Sequence, residues 1–171
     1  MQGVFNILAT PFDDQGDLDE ASLRNLVDFQ IAAGVSGLTI LAILGEGQKL
    51  SDAEWDRVAS TVLDQVKGRV NVVVTVTHPS TRTVIERTKR AAELGAAAVM
   101  AAPPTLLRNL DSVAMFYDAL GDASPIPIVV QDEPATTNVI MPPSFLAGLS
   151  HPMIKLEEPP VPQKVSRILE L

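Results

Sequence analysis

The sequence predicts an α/β fold on a parallel sheet, and three observations predict it. Short β-branched runs alternate with longer segments of helical period, which is the pattern of consecutive βαβ units. Three helical segments close on glycine (Gly34, Gly95, Gly121), where a left-handed C-cap is expected. The run Val70 to Thr77 is almost continuous valine and threonine, which fits a strand covered on both faces.

Taken in order, the first apolar run, Val4 to Ala9, ends at Thr10-Pro11-Phe12. An acidic turn with Asp13, Asp14, Gly16 and Asp17 leads into a helix carrying Leu23, Leu26, Val27 and Ile31 on one face. The second run, Gly37 to Leu44, ends in Gly45-Glu46-Gly47, and Ser51 with Glu54 forms a capping box for a helix through Val58 and Val62. The valine strand comes third, before a helix from Thr81 to Leu94. The fourth run, Ala96 to Ala101, stops at Pro103-Pro104, ahead of a helix near Leu110 to Leu120. The fifth, Ile126 to Val130, ends at Gln131-Asp132-Glu133-Pro134, with a short helix starting near Pro142-Pro143. The sixth, Met153 to Leu156, carries Lys155 and stops at Glu157-Glu158-Pro159-Pro160, and Val161 to Leu171 starts a helix.

Six such units in 171 residues keep the spacing of a (β/α)8 barrel, whose eight units take about 250 residues. An open doubly wound sheet is the alternative, but it carries a glycine-rich phosphate turn after the first strand, and here that place holds Thr10-Pro11-Phe12. The expectation is a single partial domain over residues 1–171, with strands 1 to 6 and the start of helix 6 of a (β/α)8 TIM barrel. An open barrel leaves two unpaired strand edges, so a protein longer by about two βα units, or one that self-associates, is expected.

Composition narrows the function. A net charge of −8 without a basic patch disfavours nucleic acid and anionic membrane. With no cysteine, disulfides, thiolate nucleophiles and Cys-ligated zinc are excluded. The two histidines, His78 past strand three and His151 before strand six, give little support to a dedicated metal site. No run of eighteen apolar residues and no leader pattern is visible, so a cytoplasmic protein is expected.

Four motifs in order at barrel spacing carry a family resemblance. They are Ala9-Thr10-Pro11-Phe12 with its acidic turn, Gly45-Glu46 after strand two, Val129-Val130-Gln131-Asp132-Glu133-Pro134 at strand five, and Met153-Ile154-Lys155 on strand six. From the opening through Lys155 the chain resembles the dihydrodipicolinate synthase and N-acetylneuraminate lyase family. These are barrel enzymes that cleave, form or dehydrate 2-keto acids through a lysine imine. The resemblance implies that Lys155 is the imine-forming amine, that no organic cofactor is needed, and that the protein is a homo-oligomer, dimer or tetramer. It also places Ile43, Leu44, Gly45, Glu46 and Thr105 among substrate-binding positions, and Gln131 at the position of a proton-shuttling tyrosine.

The departures are chemical. Ile43 and Leu44 replace two hydroxyl residues, so their side chains cannot hydrogen-bond a substrate carboxylate. Gln131 can position a group but cannot exchange protons near neutrality. Pro104 and Thr105 stand where the synthases carry a second tyrosine, and Thr136 near a carboxylate-binding arginine, so dihydrodipicolinate synthesis itself is not expected.

Lys155 lies at the carboxyl end of strand six, the end from which barrel catalytic groups project, although a lysine at a strand terminus is also an ordinary surface residue. The neutral amine is the form that attacks a carbonyl. Glu157 and Glu158 come next after Leu156, and one of them stabilises the ammonium or serves as a base toward an imine, or both lie in a solvated pre-proline turn; since successive strand residues face opposite ways, Glu157 shares the Lys155 face if the strand continues. Glu46 reads first as an anchor for neighbouring amides, whereas Asp132 and Glu133 read equally as substrate-positioning groups or as a solvated loop. The expected function is a lyase of the Schiff-base aldolase or dehydratase type, acting on a small 2-keto acid or related carbonyl compound. The alternative is a barrel that has kept the scaffold, lost the chemistry, and serves in binding or assembly.

Overall fold

The computed structural model describes residues 1–171. Six strands, β1 (Phe5–Ile7), β2 (Gly37–Ile40), β3 (Asn71–Thr75), β4 (Ala98–Ala101), β5 (Ile128–Asp132) and β6 (Met153–Leu156), form one sheet in the order β1-β2-β3-β4-β5-β6. Between and after them come α1 (Glu20–Ala32), α2 (Asp52–Val66), α3 (Thr81–Glu93), α4 (Leu110–Ala123), α5 (Pro134–Thr137), α6 (Pro143–Gly148) and α7 (Val161–Leu169). Strands that neighbour in space in the order they follow in sequence, each joined to the next by a helical crossover, are what βαβ units produce.

The chain divides into two compact units, Met1–Thr75 with Arg90–Val99, and Val76–Lys89 with Met100–Leu171. In the first, β1 pairs parallel with β2 and β2 with β3, with Asn6 opposite Leu38 and Leu38 opposite Val72. Leu23, Val27, Leu38, Ile40, Val58, Val62, Val72 and Val74 are all buried, so the expected apolar helix faces and the valine strand are where the core lies. Asp19 caps α1 through Ser22, and Ser51 and Glu54 close the expected capping box on α2. Three ion pairs, Arg24–Asp64, Arg57–Glu20 and Arg69–Asp28, tie α1 to α2 and the turn after it.

In the second unit, β5 pairs parallel with β6, Val130 opposite Ile154 and Gln131 opposite Lys155. Its core includes Met100, Phe116, Tyr117, Leu120, Val130, Met141 and Leu146. The fully buried Tyr117 hydroxyl donates to the Ala101 carbonyl at 3.0 Å, which satisfies the one polar atom its ring brings inside.

Several strands are shorter than the apolar runs that predict them, and the differences that bear on the site are these. β2 stops at Ile40 and does not reach Leu44, because Leu41 turns into the left-handed region at φ +60° and the chain runs as turns to Leu50. β5 runs on to Asp132, so Gln131 and Asp132 are strand residues with opposed faces and not a loop cluster. α4 continues past Gly121 to a cap at Ser124; a Cβ on Gly121 would lie 2.8 Å from the His151 ring, so that glycine serves close packing and not helix termination. Pro134–Thr137 adds a short helix that the sequence reading did not contain, capped by Glu133.

Candidate functional site

The register of β5 and β6 builds the site. Residues paired across parallel strands share a face, so Gln131 and Lys155 lie side by side and Asp132 and Leu156 face the other way. Glu157 follows β6, its N–H donating 2.9 Å to the Asp132 carbonyl and so continuing the ladder one residue beyond the strand. This fixes the Glu157 side chain on the Gln131 and Lys155 face.

There the Glu157 carboxylate joins the other two. The Gln131 Nε2 donates to Glu157 Oε1 at 2.8 Å, and the Lys155 ammonium forms an ion pair with the same oxygen. Gln131 is buried, whereas the Lys155 and Glu157 side chains keep 28% and 33% of their surface exposed. A buried amide therefore orients a carboxylate and an amine that solvent or a small molecule can reach.

On the opposite face lies a second cluster, which joins Asp132 and Glu158 to Lys164, a residue the sequence pattern did not single out. The Asp132 side chain is completely buried, and Lys164 of α7, 7% exposed, donates to its Oδ2 at 2.6 Å. Lys164 also pairs with Glu158. Burial pushes the Asp132 carboxyl above the ordinary carboxylate value, and the Lys164 ammonium pulls it back. Asp132 Oδ1 has no hydrogen-bond partner. Burial likewise pushes the Tyr117 phenol well above its ordinary value, with the Asp132 charge adding to the effect. Nothing local in the chain marks Lys164, because a cation in the first turns of a helix is only weakly opposed by the macrodipole and its partners lie 6 and 32 positions away.

The loop after β2 holds Ile43, Leu44, Gly45 and Glu46. The Thr10 hydroxyl donates 2.6 Å to the Gly45 carbonyl, joining the end of the first strand to this loop. The space is tight: a Cβ on Gly45 would lie 2.8 Å from the Leu8 carbonyl oxygen, and one on Gly47 only 2.0 Å from that of Leu41. Glu46, at φ +56°, pairs with Lys49 at 2.7 Å, an anchoring contact within the loop. Ile43 and Leu44 are exposed. Thr105 is exposed on a turn closed by the Leu107 N–H to the Pro104 carbonyl.

Other polar candidates are absorbed locally. His78 Nδ1 accepts from the Ser80 amide, His151 Nε2 lies 3.1 Å from the Tyr117 carbonyl, and Glu133 binds the Thr136 amide as the α5 cap. No three His, Asp or Glu side chains are grouped as a metal ion requires. No helix is long and apolar enough to cross a membrane.

The family model for the dihydrodipicolinate synthetase family matches residues 1–155, ending on Lys155 itself. The chain belongs to the dihydrodipicolinate synthetase family. It is 40% identical to the L-2-keto-3-deoxyarabonate dehydratase of Azospirillum brasilense, over 99% of this chain and 58% of that protein. It is also 40% identical to the 4-hydroxy-tetrahydrodipicolinate synthase of Thermomicrobium roseum, over 84% of this chain and 47% of that one. The solved dihydrodipicolinate synthase of Rhodopseudomonas palustris, 32% identical, superposes with a TM-score of 0.90 over 98% of this chain and 58% of its own. The chain thus spans about half the length of the curated relatives it matches. Its six β/α units are the corresponding part of the family's (β/α)8 barrel. In that fold, helices cover the outside of the sheet, so the face of Asp132 toward α7 is the outer one and the face of Gln131 and Lys155 the inner one.

Proposed function

We propose that the protein is a lyase of the dehydratase type that binds a small 2-keto acid as an imine on Lys155. The observation that carries this reading is the placement of Lys155: inner face, carboxyl end of β6, reachable, and beside Gln131 and Glu157. The amine attacks the C2 carbonyl, and loss of water from the carbinolamine leaves a cationic imine that makes the neighbouring C3 hydrogens acidic. Gln131 supplies a fixed hydrogen-bond donor and no titrating group.

Two facts favour dehydration of a 2-keto-3-deoxy acid over dihydrodipicolinate synthesis. Gln131 replaces the tyrosine that the synthases use, and the relative matched over 99% of this chain is a dehydratase of such an acid. For Ile43, Leu44, Gly45, Glu46 and Thr105 a substrate-binding role rests on the family resemblance alone, as does assembly into a dimer or tetramer. The rival, a barrel retained for binding after losing its chemistry, is supported by Ile43, Leu44 and Gln131, which together remove three family hydroxyls.

Borohydride reduction in the presence of pyruvate or a 2-keto-3-deoxy sugar acid tests the proposal. A reduced adduct located on Lys155 by peptide mass spectrometry, and absent from Lys155→Ala, is the expected result. Turnover in Lys155→Ala should fall by about three orders of magnitude or more. Failure of every keto acid to leave an adduct would remove the imine reading and favour the binding protein.

A further inference from the structure

The sequence places two carboxylates just beyond Lys155, after Leu156, and the folded chain sends them to different lysines. Glu158 pairs with Lys164 on the outer face. Glu157 pairs with Lys155 on the inner face, and its Oε1 also accepts from Gln131. Both contacts fall on Oε1, and a third of the Glu157 side chain, 33%, is exposed beside the amine. Gln131, the third member, has no proton to give or take near neutrality.

We propose that Glu157 is the acid and base of the reaction at Lys155, the group that removes the C3 proton of the bound keto acid and delivers it to the departing hydroxyl. The inference rests on the imine reading above. Once Lys155 Nζ is bonded to C2, C3 is one bond further on, so a carboxylate already touching Nζ is within the reach that proton transfer requires. A neutral amide could not do this, and the Asp132 carboxylate faces the other side of the sheet.

The step balances as follows. Glu157 carboxylate takes the C3 proton, and the C3–H electron pair forms the enamine double bond to C2 while the imine nitrogen becomes neutral. Electrons then return from nitrogen through C2–C3 to form the C3–C4 double bond. The C4–OH bond breaks, and the proton held on Glu157 leaves with that hydroxyl as water. Hydrolysis of the new imine frees Lys155, so the net change is loss of one water, with Glu157 and Lys155 restored. The positive charge on the iminium and the Gln131 donor hold the carboxylate in place during the first transfer.

Pyruvate separates this role from imine formation, because its methyl hydrogens exchange with deuterium oxide faster than in the enzyme-free solution only if a base acts on the imine. Two readouts are taken on wild type, Glu157→Gln and Glu157→Asp: the borohydride adduct by mass spectrometry and methyl exchange by proton NMR. Wild type should give both. Glu157→Gln should still form the adduct while exchange falls by about 10²–10⁴-fold, and Glu157→Asp should recover part of the exchange. Exchange in Glu157→Gln at the wild-type rate, with the adduct intact, overturns the role of Glu157 and leaves the imine standing. Loss of the adduct together with exchange in Glu157→Gln also overturns it, because the carboxylate would then serve the amine or the fold and not the proton. A wild type without any adduct overturns the imine reading and this inference with it.

Discussion

Lys164 of α7 reaches 2.6 Å from Asp132 at the end of β5, and the two side chains are 7% and 0% exposed. They are 32 positions apart in sequence, and this contact binds the helix after Lys155 to the strand beside it. The Asp132 backbone carbonyl at the same time holds the Glu157 amide, so the pair braces the peptide from which Glu157 projects.

Removing one partner of such a pair leaves the other buried and uncompensated. Lys164→Met should destabilise the protein by about 3–5 kcal/mol in chemical denaturation. Adding Asp132→Asn to it should recover a large part, because no buried carboxylate then remains unpaired. A Lys164→Met variant within half a kcal/mol of wild type would show that the ammonium is not needed.

The pH dependence has opposite signs in the two units. In the first, Asp19, Glu20, Asp28, Glu54 and Asp64 are held below the ordinary carboxylate range by donors from Ser22, Arg57, Arg69, Ser51 and Arg24 respectively. Stability from these groups is present above the ordinary value and lost as pH falls through the lowered one. Asp132 is raised by burial, so its contribution is complete below 3.8 and is lost as pH rises through the raised value. Hydrogen exchange should therefore show α1 and α2 losing protection first on acidification, and Asp132→Asn should flatten the decline on the neutral side of the stability profile. Retention of α1 and α2 protection below about pH 3, while the second unit opens, would contradict the assignment.

The loop after β2 depends on backbone proximity. Gly47→Ala would drive a Cβ to 2.0 Å from the Leu41 carbonyl oxygen, and since that neighbour is backbone, the loop must move. Its expected cost is about 2–4 kcal/mol. Thr10→Val leaves the Gly45 carbonyl without its 2.6 Å donor in buried surroundings, at about 1–3 kcal/mol. Thermal or denaturant unfolding measures both, and a Gly47→Ala protein as stable as wild type would show the loop to be freer than its contacts imply.

The α2 cap is a local test. Ser51→Ala removes the side-chain acceptor for the Glu54 amide and the donor to its carboxylate. A loss of about 0.5–2 kcal/mol is expected, with hydrogen exchange faster in the first turn of α2 and unchanged at the end of the helix.

The kind and order of the elements were legible in the sequence because period, caps and turns act within a few residues. β6 has the bounds that the chain pattern assigns it, Met153 to Leu156, and the Ser51 and Glu54 box closes as its spacing requires. Lys155 stood out for the same reason, as a charged residue inside a short apolar run. Tertiary structure decided what depends on register between distant segments. It ended β2 at Leu41, where the backbone turns left-handed, and left Ile43 and Leu44 on an exposed loop. It carried β5 through Asp132 because β6 offers partners that far, which put Gln131 and Asp132 on opposite faces. It also gave the two adjacent glutamates their partners, Glu157 meeting Lys155 and Gln131 while Glu158 meets Lys164. Alternation along a strand already puts Glu157 on the Lys155 face if the strand continues past Leu156, and what only the fold could supply is the Asp132 carbonyl that carries the ladder that far.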